Sequence, residues 1–313
     1  MSVSNNQNLR IVFFGTPEFA VASLDAMVKA GKNVVAVVTA PDKPAGRGMK
    51  LTPSAVKQYA EANNIPVLQP EKLKNPEFVE TLRSYNAHLQ VVVAFRMLPE
   101  VIWNMPPLGT INVHASLLPD YRGAAPINWA IINGEKETGV TTFKLQHEID
   151  TGNILLQDKV EIAEEMTAGE LHDLLKEKGA ALLVKTIEGL EAGTIQESPQ
   201  HVSDPASVKH APKLFTEHCI IHWNQCTGDI YNLIRGLSPY PGAFTTLQGK
   251  QFKIYKCKKE IQSHHFEPGS YHTDGKTYLK FATSDGFIHC IDVQLAGKKR
   301  LGIEEFLRGY RVS

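Results

Sequence analysis

The spacing of apolar and polar positions in the first part of the chain predicts buried strands that alternate with helices. Residues 9–14 form a largely apolar run that ends at Gly15, and apolar residues then recur at helical spacing up to Gly31. Similar apolar runs follow at 34–38, around 67 and at 89–95. Uniformly apolar strands that alternate with helices are typical of a parallel sheet covered on both faces. The sequence therefore predicts an α/β fold with a Rossmann-like, mostly parallel sheet and helices on both faces.

The pattern changes in the last third of the chain. Thr167 and Glu170 have the spacing of a capping box that opens a long helix to about Gly189. The polar segment 197–213 contains three prolines and is interpreted as a linker. Beyond it, a helix near 230–237 precedes short β-rich runs at 243–247, 251–257, 277–281 and 287–295. We therefore predict an α/β domain over 1–204 and a small OB-like β-barrel over 205–313.

Three polar residues near the ends of predicted strands are the candidate catalytic groups. Asn112 and His114 end a fifth apolar run, and side chains at i and i+2 of a strand share one face. Asp150 lies between two hairpin-like runs, 141–146 and 154–162. An amide donor, an imidazole and a carboxylate can together hold an oxyanion and move a proton when an amine attacks a carbonyl carbon. The carboxyl ends of parallel strands are also where such sheets bind ligands.

Residue spacing disfavours two other kinds of site, a dinucleotide-binding site after the first strand and a zinc site at the cysteines. A dinucleotide-binding fingerprint needs three glycines after the first strand, whereas the segment from Gly15 to Phe19 reads GTPEF. Cys219 and Cys226 are seven residues apart, whereas structural zinc sites usually pair their ligands through shorter gaps. The sequence therefore predicts no metal site, and the cysteines are expected to be reduced and buried.

Charge and composition restrict the compartment and the partner. The chain of 313 residues begins with a polar stretch and has no apolar window of membrane-spanning length, so we expect a cytoplasmic protein without a membrane partner. The net charge is zero, but residues 206–313 carry 15 Lys or Arg against 9 Asp or Glu, an excess of six. The last third could therefore face a polyanion. Lys256, Lys258 and Lys259 belong to a cluster of lysines on and after one predicted strand, and they are the candidate contacts.

The segment around the candidate catalytic residues resembles a known family. Residues 111–157, INVHASLLPDYRGAAPINWAIINGEKETGVTTFKLQHEIDTGNILLQ, are similar to the signature region of enzymes that transfer a formyl group from 10-formyltetrahydrofolate. The resemblance implies that Asn112 and His114 polarise the formyl oxygen and stabilise the oxyanion. It implies that Asp150 holds His114 and helps to remove the amine proton. It also implies a folate-binding wall made by Ser116, Leu117, Leu118 and Pro119.

Further stretches resemble the branch of this family whose acceptor is methionyl-tRNA. They are IVFFGTPEFAVASLDAM, PDKPAGRGMKLTPSAVK, LIRGLSPYPGAFTTLQGK and GFIHCIDVQLAGKKRLGIEEFLRG. The resemblance implies that the free amino group of initiator methionyl-tRNA is formylated, with no DNA involved. It also implies that the basic loop with Lys43, Arg47 and Lys50 enters the acceptor end of the tRNA. A guanidinium at position 47 can pair with phosphate or stack on an unpaired base.

Two alternatives remain open at the level of the sequence. The first is a formyltransferase that acts on a nucleotide-sugar amine, which would share the fold and the catalytic groups but would not need the basic loop or a basic barrel. The second is an RNA-binding module in which Asn112 and His114 are structural. Arg96 departs from the family's pattern, which has glycine at this position of the run Phe95-Arg96-Met97-Leu98-Pro99.

Overall fold

The computed structural model describes residues 9–45, 50–202 and 204–311. These residues form two compact units, each discontinuous along the chain. The first unit contains the chain up to Arg122, Gly139–Val160 and Asp173–Lys209, and the second contains Gly123–Thr138, Glu161–His172 and the chain from His210 on. Two segments before residue 205 thus belong to the second unit, whereas the sequence predicts a single boundary between 204 and 205. That boundary stays a prediction.

The described residues up to 211 contain short strands and helices in alternation. The strands are β1 (Ile11–Gly15), β2 (Val34–Val38), β3 (Lys43–Ala45), β4 (Lys50–Thr52), β5 (Val67–Leu68), β6 (Leu89–Val93), β7 (Thr110–His114), β8 (Arg122–Gly123), β9 (Glu137–Lys144), β10 (Ile154–Glu161) and β11 (His210–Ala211). The helices are α1 (Glu18–Lys29), α2 (Ala55–Ala62), α3 (Pro76–Ser84), α4 (Glu100–Trp103), α5 (Pro126–Ile132) and α6 (Ala168–Ala192).

A mostly parallel sheet organises the first unit. Its order in the described residues is β10-β9-β7-β6-β1-β2-β5, with β1, β2, β5, β6 and β7 parallel and β9 antiparallel to β7. Every residue of β1 and β6 is buried, as predicted for these mostly apolar runs, and the burial includes the polar residue Gln90. The chain runs outward through β2 and β5 and then adds β6 on the other side of β1, so the strand order reverses there. The predicted α/β fold class is confirmed. Folds of this kind generally bind ligands at the carboxyl ends of strands beside such a reversal, which makes the ends of β1, β6 and β7 the place to look for a site.

Packing against α6 shows which face of β7 carries Asn112 and His114. Gly179 lies within this helix, and a Cβ built on it would be 3.0 Å from Val113 Cγ1 and 3.7 Å from Val140 Cγ1. The helix backbone therefore lies close over the side of the sheet that Val113 occupies. Because side chains alternate along a strand, Asn112 and His114 point to the opposite side.

An antiparallel sheet dominates the second unit. Its strands are β12 (Ala243–Leu247), β13 (Lys250–Ile261), β14 (Tyr271–Thr273), β15 (Leu279–Ala282), β16 (Gly286–Leu295) and β17 (Leu301–Gly302), accompanied by α7 (Thr227–Gly236) and α8 (Ile303–Gly309). Their order is β12-β13-β16-β15-β14, with β17 also on β16. Its buried core includes Phe252, Ile254, Phe281, Ile288 and Val293. The predicted C-terminal β domain is thus confirmed as an antiparallel half-barrel.

The polar segment after α6 is more than the predicted linker. Ser198 and Ile154 exchange two backbone hydrogen bonds of 2.8 and 2.9 Å, so the segment pairs with the start of β10. The Glu197 carboxylate accepts hydrogen bonds from Lys144 Nζ and, at 3.1 Å, from Asn153 Nδ2. Polar composition suggested a linker, but these polar groups bind the β9–β10 hairpin.

No helix among the described residues is long and apolar enough to cross a membrane.

Candidate functional site

His114 ends β7 and is held through one of its two ring nitrogens. Its Nε2 lies 2.8 Å from the backbone carbonyl oxygen of Tyr121, and the residue is only 7% exposed. A carbonyl oxygen can only accept, so we infer that Nε2 carries the proton and donates. The nitrogen that remains available to exchange a proton is therefore Nδ1. It lies 3.8 Å from Oδ2 of Asp150.

Asp150 occupies a constrained turn after β9. Its backbone φ is 55°, in the left-handed region that is unfavourable for residues other than glycine. Two residues later, a Cβ on Gly152 would lie 1.6 Å from the carbonyl oxygen of Lys144, so only glycine fits this close approach. The side chains of His114 and Asp150 are 9% and 14% exposed, which weakens solvent screening of any charge that develops between them.

The distance between His114 and Asp150 is one that a third group can bridge. At 3.8 Å the two side chains are too far apart for a direct hydrogen bond. An atom that lies to one side of the line between them can still be about 2.8 Å from both, a normal hydrogen-bond length. This geometry suits a proton that passes to or from a group brought in by a substrate.

Asn112 lies on the same face of β7 as His114. It pairs in register with Val92 of β6 and Phe143 of β9, and its residue is half-buried. Within the described residues, its side-chain amide forms no hydrogen bond with another protein group. An amide that is fixed on a strand but lacks a partner is able to donate to a ligand. The structure therefore brings His114 and Asp150 together and directs Asn112 to the same side.

The turn from Ser116 to Pro119 is anchored to β9 and β10. Ser116 is fully buried and its hydroxyl donates to the carbonyl oxygen of Asp120 at 2.7 Å. Thr141 Oγ1 donates to the carbonyl oxygen of Ser116 at 2.7 Å and accepts from the N–H of Leu118 at 3.2 Å. Leu118 is buried as well, whereas Leu117 and Pro119 are half-buried. The last two are the members of the predicted folate wall with surface to offer.

Two glutamines that sequence reasoning missed hold the loops of the site. Gln157 Nε2 donates to the carbonyl oxygen of Leu118 at 3.0 Å. Gln200 Nε2 donates to the carbonyl oxygens of Asp150 and Gly152, both at 2.8 Å. Their partners are 39 and 48 to 50 residues away in sequence. No local motif marks a residue whose only role is a contact at that separation.

The predicted tRNA-binding residues have unequal surroundings. Lys43 is exposed on β3. Arg47 and the side chain of Lys50 lie outside the part of the chain that the structure describes. Lys256 and Lys258 are exposed on β13. Lys259 Nζ instead lies 2.7 Å from Glu164 Oε1 and 5.0 Å from the centroid of the Tyr231 ring. The hydrogen bond from Lys259 lowers the pKa of Glu164, so this lysine already has an acidic partner within the second unit.

Arg96 does not leave its guanidinium free beside the β6 end. Its Nη1 donates to the carbonyl oxygen of Glu71 at 2.9 Å, and its Nη2 donates to that of Pro70. The side chain thus ties the segment after β6 to the segment after β5. This contact explains how an arginine is accommodated where the family's pattern has glycine.

The described cysteines are free thiols, and three of the four are buried. Burial raises the pKa of Cys257 and that of Cys290, which disfavours the reactive thiolate. No group of three or more His, Cys, Asp or Glu side chains that could hold a metal ion occurs in the part of the chain that the structure describes.

Two family profiles match consecutive stretches of the chain. The sequence profile of the formyl transferase family matches residues 9–187, and that of the formyl transferase C-terminal domain matches residues 213–311. A protein of Parabacteroides distasonis named methionyl-tRNA formyltransferase is 55% identical over 313 residues, with 97% of each chain covered.

Solved structures with the same fold are more distant in sequence. HypX from Aquifex aeolicus, in complex with tetrahydrofolic acid, has a TM-score of 0.66 at 19% identity, over 98% of this chain and 49% of that one. An N-formyltransferase from Helicobacter canadensis, in complex with folinic acid and dTDP-3-aminofucose, has a TM-score of 0.64 at 21% identity, over 90% of this chain and 98% of that one. With its two domain profiles and a relative 55% identical along its length, this chain belongs to the formyl transferase family.

Proposed function

We propose that this protein transfers the formyl group of 10-formyltetrahydrofolate to the free amino group of initiator methionyl-tRNA in the cytoplasm. The family membership and the name of a relative that is 55% identical over nearly the full length of both chains support this acceptor. The observation that carries the chemistry is the pairing of His114 Nδ1 with Asp150 across 3.8 Å, beside the unpartnered amide of Asn112 in the described structure. The proposal assigns no step to a metal ion.

Asn112 and His114 would stabilise the charge that develops on the formyl oxygen. When the amino nitrogen attacks the formyl carbon, the carbonyl oxygen becomes an oxyanion, and fixed N–H donors lower the energy of that state. The Asn112 amide is available for this role because it donates to no other described group. An imidazole protonated at Nδ1 would be a second donor from the same face of β7.

Asp150 and His114 would also take part in transferring protons from the attacking amine and to the folate nitrogen. The attacking amine must lose one proton, and the folate nitrogen must gain one as its bond to the formyl carbon breaks. His114 Nδ1 can exchange a proton because Nε2 is already engaged by the carbonyl of Tyr121. The Asp150 carboxylate lies opposite Nδ1 of His114 and can accept a hydrogen bond from the amine, directly or through water.

The turn from Ser116 to Pro119 is proposed to form one wall of the folate site. Leu117 and Pro119 retain partial exposure and can offer apolar surface to a flat ring. Ser116 and Leu118 would act by shaping the turn, since the hydroxyl of Ser116 already donates to Asp120 and Leu118 is buried.

The tRNA is proposed to contact basic residues of both units. Lys43, Arg47 and Lys50 would meet the acceptor end, as the resemblance implies. Exposed Lys256 and Lys258 on β13 would contact phosphates. Lys259 was predicted with them, but its ion pair with Glu164 makes it the weakest member of the proposed footprint.

A choice of acceptors tests the proposal. Purified full-length protein is incubated with 10-formyltetrahydrofolate and, in separate reactions, charged initiator tRNA, the same tRNA without methionine, or a dTDP-linked amino sugar. We expect formylation of the charged tRNA alone, measured as N-formylmethionine after the tRNA is deacylated. Transfer to the amino sugar in preference to the tRNA, or to no acceptor, would overturn the proposed function.

A further inference from the structure

Gln200 makes four polar contacts beside the candidate catalytic residues. Its Nε2 donates to the carbonyl oxygens of Asp150 and Gly152 at 2.8 Å each. Its Oε1 accepts from Arg122 Nε at 3.2 Å and from Arg122 Nη2 at 2.5 Å. Every contact lies within the first unit. The side chain therefore bridges the Arg122 guanidinium and the backbone of the Asp150 turn.

The orientation of the Gln200 amide follows from its partners. A guanidinium has only donors, so the oxygen of the amide must face Arg122. Carbonyl oxygens only accept, so the nitrogen must face Asp150 and Gly152. The two ends cannot be exchanged without the loss of all four contacts. Ser198, two residues earlier, is paired with Ile154 of β10, which fixes the backbone that presents Gln200.

The Asp150 turn needs such support. A non-glycine residue at φ 55° is unfavourable by about 1 kcal/mol or more, and such conformations persist only where neighbouring contacts impose them. The carbonyl of Asp150 belongs to the same residue as the carboxylate that faces His114. A hydrogen bond that fixes the carbonyl therefore also restricts where the carboxylate can lie.

We propose that Gln200 is a positioning residue for the transfer reaction. It holds the Asp150 turn so that the Asp150 carboxylate stays opposite Nδ1 of His114. This inference rests on the proposed function, because it assumes that Asp150 takes part in the step. Arg122 contributes indirectly, because its guanidinium orients the side-chain amide of Gln200. The segment 197–202 is thus part of the machinery of the site.

Two substitutions at Gln200 separate positioning from general folding. Gln200→Glu keeps the volume and the pairing with Arg122, but it replaces the donor with an acceptor that faces two carbonyl oxygens. Gln200→Leu removes every polar contact. For both variants we expect kcat to fall about ten- to hundredfold, since small displacements of a catalytic group have effects of that size. The KM values for 10-formyltetrahydrofolate and charged tRNA should stay within about twofold, because neither substrate is proposed to touch Gln200.

Gln58→Leu is the matched control. Gln58 is exposed on α2 and its Nε2 also donates to a backbone carbonyl, that of Pro53, at 3.1 Å. Its loss should leave kcat and both KM values unchanged. Thermal unfolding of all variants identifies any that fail to fold.

A double-mutant cycle with Asp150→Ala decides whether Gln200 acts through Asp150. If it does, Gln200→Leu should lower kcat by less than about twofold in the Asp150→Ala background, because the carboxylate it positions is gone. Effects that multiply, or a Gln200→Glu variant with wild-type kcat, would overturn the inference. An Asp150→Ala variant with wild-type turnover would overturn both this inference and the proposed role of Asp150.

A structural measurement keeps the inference testable if the proposed function fails. Should the wild-type protein formylate no acceptor, a crystal structure of Gln200→Glu still shows whether the turn depends on Gln200. We expect the Asp150 Oδ2 to His114 Nδ1 distance to depart from 3.8 Å in that variant. An unchanged turn would rule out positioning, whatever the substrate of the enzyme.

Discussion

Among the described residues, one histidine–carboxylate pair in each unit invites comparison, because the two pairs differ in separation and in exposure. In the first unit, His114 and Asp150 lie 3.8 Å apart and are 9% and 14% exposed. In the second, His289 Nε2 lies 2.5 Å from Glu260 Oε2, and these side chains are 32% and 37% exposed. Lys280 Nζ reaches the same carboxylate oxygen at 3.1 Å. We call the second pair closed, because its side chains are directly hydrogen-bonded, and it is partly exposed to solvent. We call the first pair open, because no direct hydrogen bond joins its side chains, and it is largely buried.

This difference shows that residue type alone does not identify a catalytic pair. Glu260 is already stabilised as a carboxylate, because hydrogen bonds from His289 and then from Lys280 lower its pKa. A ligand would have to displace these partners. Asp150 and His114 can accept a third polar group without breaking a direct bond between them, since at 3.8 Å they form none.

The largest expected effect separates the two pairs by function. His114→Ala should lower kcat for formyl transfer by about a hundredfold or more, because oxyanion and proton-transfer groups act mainly in the transition state. The dissociation constant of the folate substrate should change by less than about threefold for the same reason. Both are measured by single-turnover formylation and by equilibrium binding of the folate.

His289→Ala is the control from the closed pair. It removes the same side chain from the second unit and should leave kcat within about twofold of wild type, as expected for a surface pair. Equal losses of kcat in His114→Ala and His289→Ala would contradict the distinction between an open and a closed pair. So would a His114→Ala variant that loses folate affinity but retains turnover.

Sequence reasoning succeeded where the determining interactions are local. The first strands of the parallel sheet were predictable because nearly all of their residues are apolar, as in β1 and, apart from Gln90, in β6. The capping box was predictable because Thr167 and Glu170 are three residues apart, and their reciprocal hydrogen bonds of 2.8 and 3.3 Å are present. The alternation of a strand was enough to direct Asn112 and His114 to one face.

The same reasoning misses contacts that a residue makes with a distant partner, and the tRNA-binding role of Lys259 stays a prediction. Gln200 was assigned to a linker because its neighbours are polar, although it bonds residues 48 and 50 positions away. Lys259 was grouped with Lys258 because the two are adjacent, but Glu164 is nearly a hundred residues earlier in the chain. A pattern of neighbours cannot distinguish a free lysine from a paired one.

Lys258 and Lys259 provide a second comparison, between a lysine without an ion pair in the described structure and a lysine with one, and this comparison concerns tRNA binding. Lys258 forms no ion pair with a described residue, whereas Lys259 lies 2.7 Å from Glu164. Lys258→Gln should weaken binding of charged tRNA about three- to tenfold and reduce the slope of log affinity against log salt by about one, because one phosphate contact is lost. Lys259→Gln should change affinity by less than about twofold, since this lysine already has an acidic partner.

Affinity measured at several salt concentrations checks both variants. A change in affinity for Lys258→Gln without a change in slope would point to a contact other than a phosphate. A larger effect for Lys259→Gln than for Lys258→Gln would reverse the assignment, and would indicate that tRNA displaces Glu164.

The smallest expected effect concerns the stability that the closed pair provides. The pKa of Glu260 is lowered in the folded protein, so its contribution is fully present above the pKa of an unfolded glutamate, ordinarily 4.5. That contribution is lost as the pH falls through the lowered folded value. Because the pair is about one-third exposed, Glu260→Gln should lower the free energy of unfolding at pH 7 by less than about 1 kcal/mol. Urea unfolding of the wild type and the variant should show this difference at pH 7 and little or none near pH 2. A difference that persists undiminished in acid would show that Glu260 stabilises the sheet through packing rather than charge, and the closed pair would then owe its geometry to the strands that carry it.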